Sequence, residues 1–421
     1  MFSKINQLLS PQNKDLRKRI YFTLIVLFIF KLGTAIIVPG VDKTKLSSDS
    51  MGFFGLINAM GGGALEKFSI FSLGVMPYIT ASIIIQLLEM DVVPYFSELA
   101  KQGQVGRNKL NMITRVLGIV LAFIQAYMLS FAYIDNGSVT DYMQFSLIIT
   151  AGTAFLLWLG DQVTAKGVGN GISLIIMAGI IATLPTMFVD AYKSFVVTDT
   201  VQLLLLGIAK FILLVAFYIA IVVGIVFVES AERRIPIQYA NSSTKNLGKQ
   251  NYIPFKLNSA GVIPVIFASA LISIPGLLAN FIKNDGFQIF VSKWLTLNSI
   301  TGVTLYILFI FVFGYFYTFF QLKPKELAEN LQKNGGYIPG IRPGDETVSY
   351  VTKVLKRITI VGTTFLALLA ALPIICANIP GIPSSVSIGG TGLLIVVGVA
   401  LETFKQLESS LVTRQYTRGR R

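Results

Sequence analysis

Gly74-Val75-Met76-Pro77-Tyr78-Ile79-Thr80-Ala81-Ser82 agrees at six of nine positions with Gly261-Val262-Ile263-Pro264-Val265-Ile266-Phe267-Ala268-Ser269. Each copy lies in the second apolar block of its half of the chain. Walking outward from the pair, the blocks are Ile20–Val38, Phe68–Leu88, Val116–Ile134, Tyr142–Gly160, Gly167–Val189, Phe211–Val228, Leu257–Ile282, Trp294–Leu322 and Ile358–Leu401. Lys31 alone interrupts the first, at a depth from which its long side chain reaches water or headgroups. The last block has 44 residues without a charge and is broken by Asn378-Ile379-Pro380-Gly381-Ile382-Pro383-Ser384-Ser385, so it reads as two helices and a turn. A helix needs about 20 apolar residues to cross the hydrocarbon layer, and ten blocks approach or exceed that. The sequence therefore predicts an all-α polytopic membrane protein with ten spans. The second block would run through the membrane in the opposite sense to the seventh. The two five-helix halves are then related by an axis in the membrane plane, and inverted repeats with Pro-interrupted helices at equivalent places mark transport proteins whose pathway lies between the halves.

Composition agrees. Of 421 residues, 53% are hydrophobic and 13% charged, and mean hydropathy is +0.69, far from a soluble domain of this length. The basic first residues precede an apolar run with no small-residue cleavage site at Val38-Pro39-Gly40, which predicts an uncleaved first span. There is no histidine and one cysteine, Cys376. Zinc proteases lose their ligands and serine hydrolases their usual base. No carboxylate pair or Ser/Lys pair lies mid-span, and no cofactor is implied.

Charge sets the expected orientation. Segments 1–19, 91–110, 161–170, 229–256, 323–357 and 402–421 hold 26 of the 35 Lys and Arg, whereas the opposite loops hold six. By the positive-inside rule both termini are cytoplasmic, and most of the net charge of +14 sits on that face.

Two of these basic loops are far longer than a helix connection requires. In 229–256, Glu232-Arg233-Arg234-Ile235-Pro236-Ile237-Gln238-Tyr239 suits an extended hairpin arm. In 323–357, Lys323-Pro324-Lys325-Glu326-Leu327 resembles a helix opening with proline in its first turn. Pro339-Gly340-Ile341-Arg342-Pro343-Gly344 then holds Arg342 at the tip of a stiff turn, available to ribosomal RNA, an acidic protein surface or anionic lipid headgroups. On the other face, Met51–Met60 is apolar but too short to span and is followed by Gly61-Gly62-Gly63. It reads equally as a re-entrant helix or an interfacial one. The pathway has no mid-span carboxylate to hold a cation. An apolar constriction at Ile79 and Ile266 suits a conduit for something large and chemically varied.

Gly62-Gly63-Ala64-Leu65, Ser69-Ile70-Phe71, Gly74–Ile79, Ala81–Leu88, Gly169-Asn170-Gly171-Ile172-Ser173, Arg233-Arg234-Ile235, Ala260–Pro264 and Pro339–Gly344 together resemble the SecY family, channel-forming subunits of bacterial protein translocases, from Leu16 to Gln406. The resemblance implies a clamshell of two halves, residues 20–190 and 201–406, between a cytoplasmic segment 1–19 and a basic tail 407–421. It implies an hourglass pore with a ring of Val75, Ile79, Ile172, Ile176, Ile266 and Ile395. Val75 replaces the family's usual isoleucine there and widens the seal by a methylene. The plug would be the re-entrant segment Phe54–Lys67, including Phe54, Gly55, Leu56, Ile57, Met60, Gly61 and Leu65. A lateral gate would open between spans 2 and 3 and spans 7 and 8, its seam held by hydrogen bonds across helices from Thr80, Gln86 and Asn258. Arg233, Arg234 and Arg342 would dock the motor ATPase SecA or the ribosome, through ribosomal RNA. Further implied partners are the subunits SecE and SecG, unfolded preproteins and the lipid of the bacterial cytoplasmic membrane. A secondary transporter or a membrane-embedded enzyme are the competing classes, distinguished by small-molecule counterflow and by an activity separable from transport.

Overall fold

Gly74 and Gly261 both have positive φ, 55° and 63°, and in each copy of the repeat a helix begins two residues later, at Met76 and Ile263. Left-handed backbone is open to glycine at little cost, so each glycine ends the preceding turn. Pro77 and Pro264 then occupy the second helical position, where a missing N–H has no intrahelical partner to lose. The repeat therefore encodes two matched helix starts. The prolines expected to interrupt helices instead open them, whereas Pro185, Pro275 and Pro373 lie inside helices.

The computed structural model describes residues 14–39, 58, 61–90, 93–134, 137–196, 201–239, 251–281, 285–297, 299–377 and 385–418. The elements are α1 (Lys14–Gly33), α2 (Met76–Leu88), α3 (Pro94–Lys101), α4 (Gln104–Tyr133), α5 (Val139–Lys166), α6 (Gly171–Phe195), α7 (Val201–Ser230), β1 (Glu232–Tyr239), β2 (Asn251–Lys256), α8 (Ile263–Phe281), α9 (Asp285–Trp294), α10 (Ile300–Leu322), α11 (Pro324–Lys333), β3 (Gly336–Tyr337), α12 (Asp345–Ala377) and α13 (Ser385–Arg418). A helix covers each of the ten apolar blocks. Among the described residues six helices are long and apolar enough to cross a bilayer, and α2 and α8 are shorter apolar helices. The second block is helical only from Met76; residues 68–75 form consecutive turns, with Phe68 also at positive φ.

Packing order repeats between the halves. In the first, α2 packs on α4, α4 on α5 and α5 on α6; in the second, α8 packs on α10, α10 on α12 and α12 on α13. The first half is fastened by an Arg115–Asp161 ion pair of 2.9 Å between α4 and α5, the second by a buried Ser269–Tyr306 hydrogen bond of 3.1 Å between α8 and α10. The halves meet along two lines: α8 lies on α2 and α4, while α13 and α7 lie on α6. Hydroxyls inside the helices donate to carbonyls four residues back, as Thr114, Thr150, Thr318, Thr359 and Thr363 do. That leaves no bare donor facing hydrocarbon at these positions.

The two long basic loops fold together. β1 pairs antiparallel with β2, from Glu232↔Lys256 to Ile237↔Asn251, and its end pairs with β3 of the other loop through Gln238↔Tyr337 and Tyr239↔Gly336. Pro254 faces Arg234 and Pro236 faces Tyr252, the same parity, so the ladder bonds of alternate pairs need neither proline's missing donor. Pro254 also blunts the outer edge of β2. Ile235, Ile237, Phe255, Leu331, Ile338, Val351 and Leu355 form a small core joining the sheet, α11 and the start of α12.

Candidate functional site

The six residues expected to form the ring lie in the chain's largest apolar cluster. Val75 sits just before α2 and Ile79 on it; Ile172 and Ile176 are on α6, Ile266 on α8 and Ile395 on α13. Five are buried and Ile172 is half-buried. Ile395 is carried between the halves by two close approaches of α13. A Cβ built on Gly392 would lie 2.6 Å from Ile180 of α6, and one on Gly398 would lie 2.8 Å from Val262 beside the start of α8. Glycine at these two places lets α13 approach both α6 and the start of α8 closely.

α6 starts well because Asn170 caps it, its side-chain oxygen accepting from the N–H groups of Ile172 and Ser173 at 3.1 and 3.3 Å. Ile172 and Ile176 therefore stand in the first turns, and Gly179 and Thr183 follow on the same face at helical spacing. That face meets the base of the expected plug: a Cβ on Gly62 would lie 3.2 Å from Gly179 Cα, and one on Gly63 would lie 3.9 Å from Thr183 Cγ2. Gly61 is buried, and so is Leu65 at 1% exposure. Asn58 braces this loop; its carbonyl accepts from Gly63 N–H at 2.8 Å and its side chain exchanges two hydrogen bonds with Glu66. The exit from the loop is held by Ser69 bridging to Ile37 and by Gly152 of α5, where a Cβ would come within 2.0 Å of the Ile70 carbonyl oxygen. The remaining plug residues, Phe54, Gly55, Leu56, Ile57 and Met60, lie outside the described residues.

The seam groups behave differently from the expectation. Thr80 donates to Met76 O at 3.2 Å, one turn back on its own helix. Gln86 donates to Ser82 at 3.1 Å, also within α2, and its carbonyl oxygen is buried without a partner. Asn258 donates to the Glu229 carboxylate at 2.6 Å and to Gly261 O at 3.0 Å, tying the end of α7 to the approach to α8 within one half. None of the three bonds to another across the seam. For Thr80 and Gln86 an acceptor one helical turn away on the same helix competes with any partner across the seam. By sequence Glu229 reads as an ordinary carboxylate at a span end, with nothing local to show that it accepts from Asn258.

Gln86 opens onto a cleft of about 680 Å³ between the ends of α2, α3 and α4 and those of α10 and α11, lined also by Glu89, Met90, Lys101, Arg107, Phe319 and Lys323. Burial pushes the Glu89 carboxyl above the usual carboxylate range, while Lys323 and Arg107 pull it back.

Of the three arginines expected to dock a partner, Arg342 is exposed on a rigid turn. Its N–H donates to the Glu346 carboxylate at 3.3 Å, its carbonyl accepts from Thr347 at 2.9 Å, and Gly340 and Gly344 take φ of 81° and 102°. The Arg234 guanidinium lies 4.8 Å over the Tyr252 ring. Arg233 and Arg234 sit at one end of β1, and β3, which leads to Arg342, is paired with the other. The three share one folded unit but are not a single cluster.

With this geometry, the comparisons with known proteins agree over nearly the whole chain. The family model described as SecY matches residues 69–404. Protein translocase subunit SecY of Bacillus licheniformis is 49% identical over 415 residues, 96% of each chain; that of Staphylococcus aureus is 48% identical over 418 residues, again 96% of each. Among solved structures, a protein-conducting channel superposes with a TM-score of 0.68 at 21% identity, covering 94% of this chain and 93% of the other. Sec61 in the canine ribosome–channel complex from the endoplasmic reticulum gives 0.64 at 20% identity with the same coverage. At such identities these two likenesses carry the fold.

Proposed function

This chain belongs to the SecY family, and on that premise we propose how it works as the channel subunit of a protein translocase, a conduit and not an enzyme. Unfolded preproteins pass between the halves 20–190 and 201–406 through an aliphatic ring of Val75, Ile79, Ile172, Ile176, Ile266 and Ile395. Aliphatic side chains offer a passing peptide only weak, non-directional contacts, so no sequence is held. At rest the same neck excludes ions because they would shed hydration without replacement. The segment 54–67 plugs the path in series with the ring. The observation that carries this reading is the shared face of α6, where Ile172 and Ile176 are followed by the glycine that receives the plug base.

Apolar segments leave sideways into lipid where α2 and α4 part from α8 and α10, near Thr80, Gln86 and Asn258. With no hydrogen bond among these three, the closed seam rests on apolar packing. The sheet unit faces the cytoplasm, as do both termini, because most of the Lys and Arg lie on that side. Arg233, Arg234 and Arg342 then meet SecA or ribosomal RNA, and SecE and SecG complete the complex. Likeness to channels solved on ribosomes supports the ribosome as partner.

Single-channel recording in planar bilayers tests the seal. Ile79→Asn with Ile266→Asn should wet the neck and raise resting ion conductance while polypeptide still passes, and deleting residues 54–67 should add to the leak. If both variants stay as ion-tight as the parent, the pore lies elsewhere.

A further inference from the structure

α9 is too short to cross a bilayer: its 10 residues span about 15 Å. Its place in the fold is set by its neighbours. α8 begins beside the sheet, after β2, and its 19 residues run about 28 Å away from it. α10 returns toward the sheet and ends at α11. α9 therefore lies at the rim of the membrane domain opposite the sheet, between the far ends of α8 and α10. It is fastened at both ends, since Gln288 Nε2 donates to Ala279 O of α8 at 3.2 Å and Thr301 of α10 donates to Trp294 O at 2.9 Å.

At about 100° per residue, the described side chains of α9 divide into three faces. Val291, with half-buried Phe287 beside it, packs against the protein. Gln288 and Ser292 lie to one side of that contact. Ile289, Phe290 and Trp294, exposed by 63, 52 and 48%, spread over the other side, with exposed Lys293 between Ile289 and Phe290. The polar and apolar faces thus point in roughly opposite directions, with the protein contact between them. A helix in water has no use for three large exposed apolar side chains on one side. A helix docked sideways on a membrane protein at the bilayer surface has one side in water and the other in lipid.

We propose that α9 is an interfacial anchor, with Ile289, Phe290 and Trp294 inserted at the headgroup–acyl boundary of the leaflet opposite the sheet. The adjoining helices expose apolar side chains as well, Ile274 of α8 and Ile300 and Leu308 of α10. Trp294 suits the interface, where an aromatic body with a polar N–H is favoured. Lys293, next to Ile289 around the helix, can extend its stem over lipid and place its ammonium among headgroup phosphates.

The anchor is tested on the full chain with its co-purified subunits in liposomes, independently of where the pore lies. In a Cys376→Ser background, Phe290→Cys, Ser292→Cys and Trp294→Cys are each labelled with a nitroxide, and collision with oxygen is compared with collision with a water-soluble nickel chelate. Oxygen should dominate at 290 and 294, and the chelate at 292. Chelate access at 290 and 294 equal to that at 292 would put the helix in water and overturn the proposal. Shielding of 290 and 294 from both reagents would overturn it too, because a partner protein would then cover the face.

Discussion

Glu89 shows how one carboxyl reads its surroundings. It follows the last residue of α2, its N–H closes the helix on Ile85 O at 2.9 Å, and its side chain faces the cleft shared with Lys323 and Arg107. Both cations favour the ionised form, but loss of water around the carboxyl outweighs them and raises its pKa. A carboxyl with a raised folded-state pKa lowers stability once pH exceeds the ordinary carboxylate value, and the penalty is complete above the raised pKa. Glu89→Gln should therefore melt at higher temperature than the parent at neutral pH. The difference should vanish as pH falls to the ordinary carboxylate range. Thermal unfolding in detergent across that window checks both statements, and a gap that persists in acid would assign the effect to something other than ionisation.

At the scale of elements, small residues decide how closely helices approach. Gly152 of α5 abuts the backbone of Ile70, where a Cβ would meet a carbonyl oxygen at 2.0 Å, whereas Gly224 of α7 has nothing within 4 Å of that position. A backbone oxygen cannot rotate away as a side chain can. Gly152→Ala should then cost about 1–3 kcal/mol, the usual range for overpacking. Gly224→Ala should be neutral or stabilising by up to about 1 kcal/mol, since alanine restricts the unfolded chain. Chemical denaturation of the two variants side by side makes the comparison. Because Ile70 lies between the plug base and α2, Gly152→Ala should also disturb the resting seal, which single-channel recording would reveal as added leak.

Across the whole molecule, the proposed docking surface depends on a domain that neither loop can form alone. Arg342 is presented by a turn whose flanks pack into the core made by β1, β2, α11 and α12. On the proposed docking role, Arg342→Glu should impair SecA-driven preprotein translocation in reconstituted vesicles while insertion and melting temperature stay at parental values, because the guanidinium is exposed and only the backbone of Arg342 holds the turn. Unchanged transport would remove Arg342 from the docking surface. Loss of the folded protein would show that its side chain is structural.

The apolar blocks that become helices, the α11 opening at Pro324 and the β1 arm were legible in the chain, as was the repeat at Gly74 and Gly261, though not that its prolines open helices. Each legible feature is settled by neighbours within a few residues: a long apolar run, a proline in a first turn, an alternating strand. The ring residues were legible only through resemblance, since an aliphatic residue in a spanning helix looks the same whether it faces lipid, a neighbouring helix or a pathway. Tertiary structure alone decided that the two basic loops share one sheet, because β1 and β3 are separated by about a hundred residues and backbone pairing leaves no local signature. It also decided that Asn258 answers Glu229 instead of crossing the seam, and that the apolar side of α9 is left uncovered by the described residues. Hydrogen-bond partners and exposed faces depend on which atoms are brought near in space, and chain order fixes that only after the helices have packed.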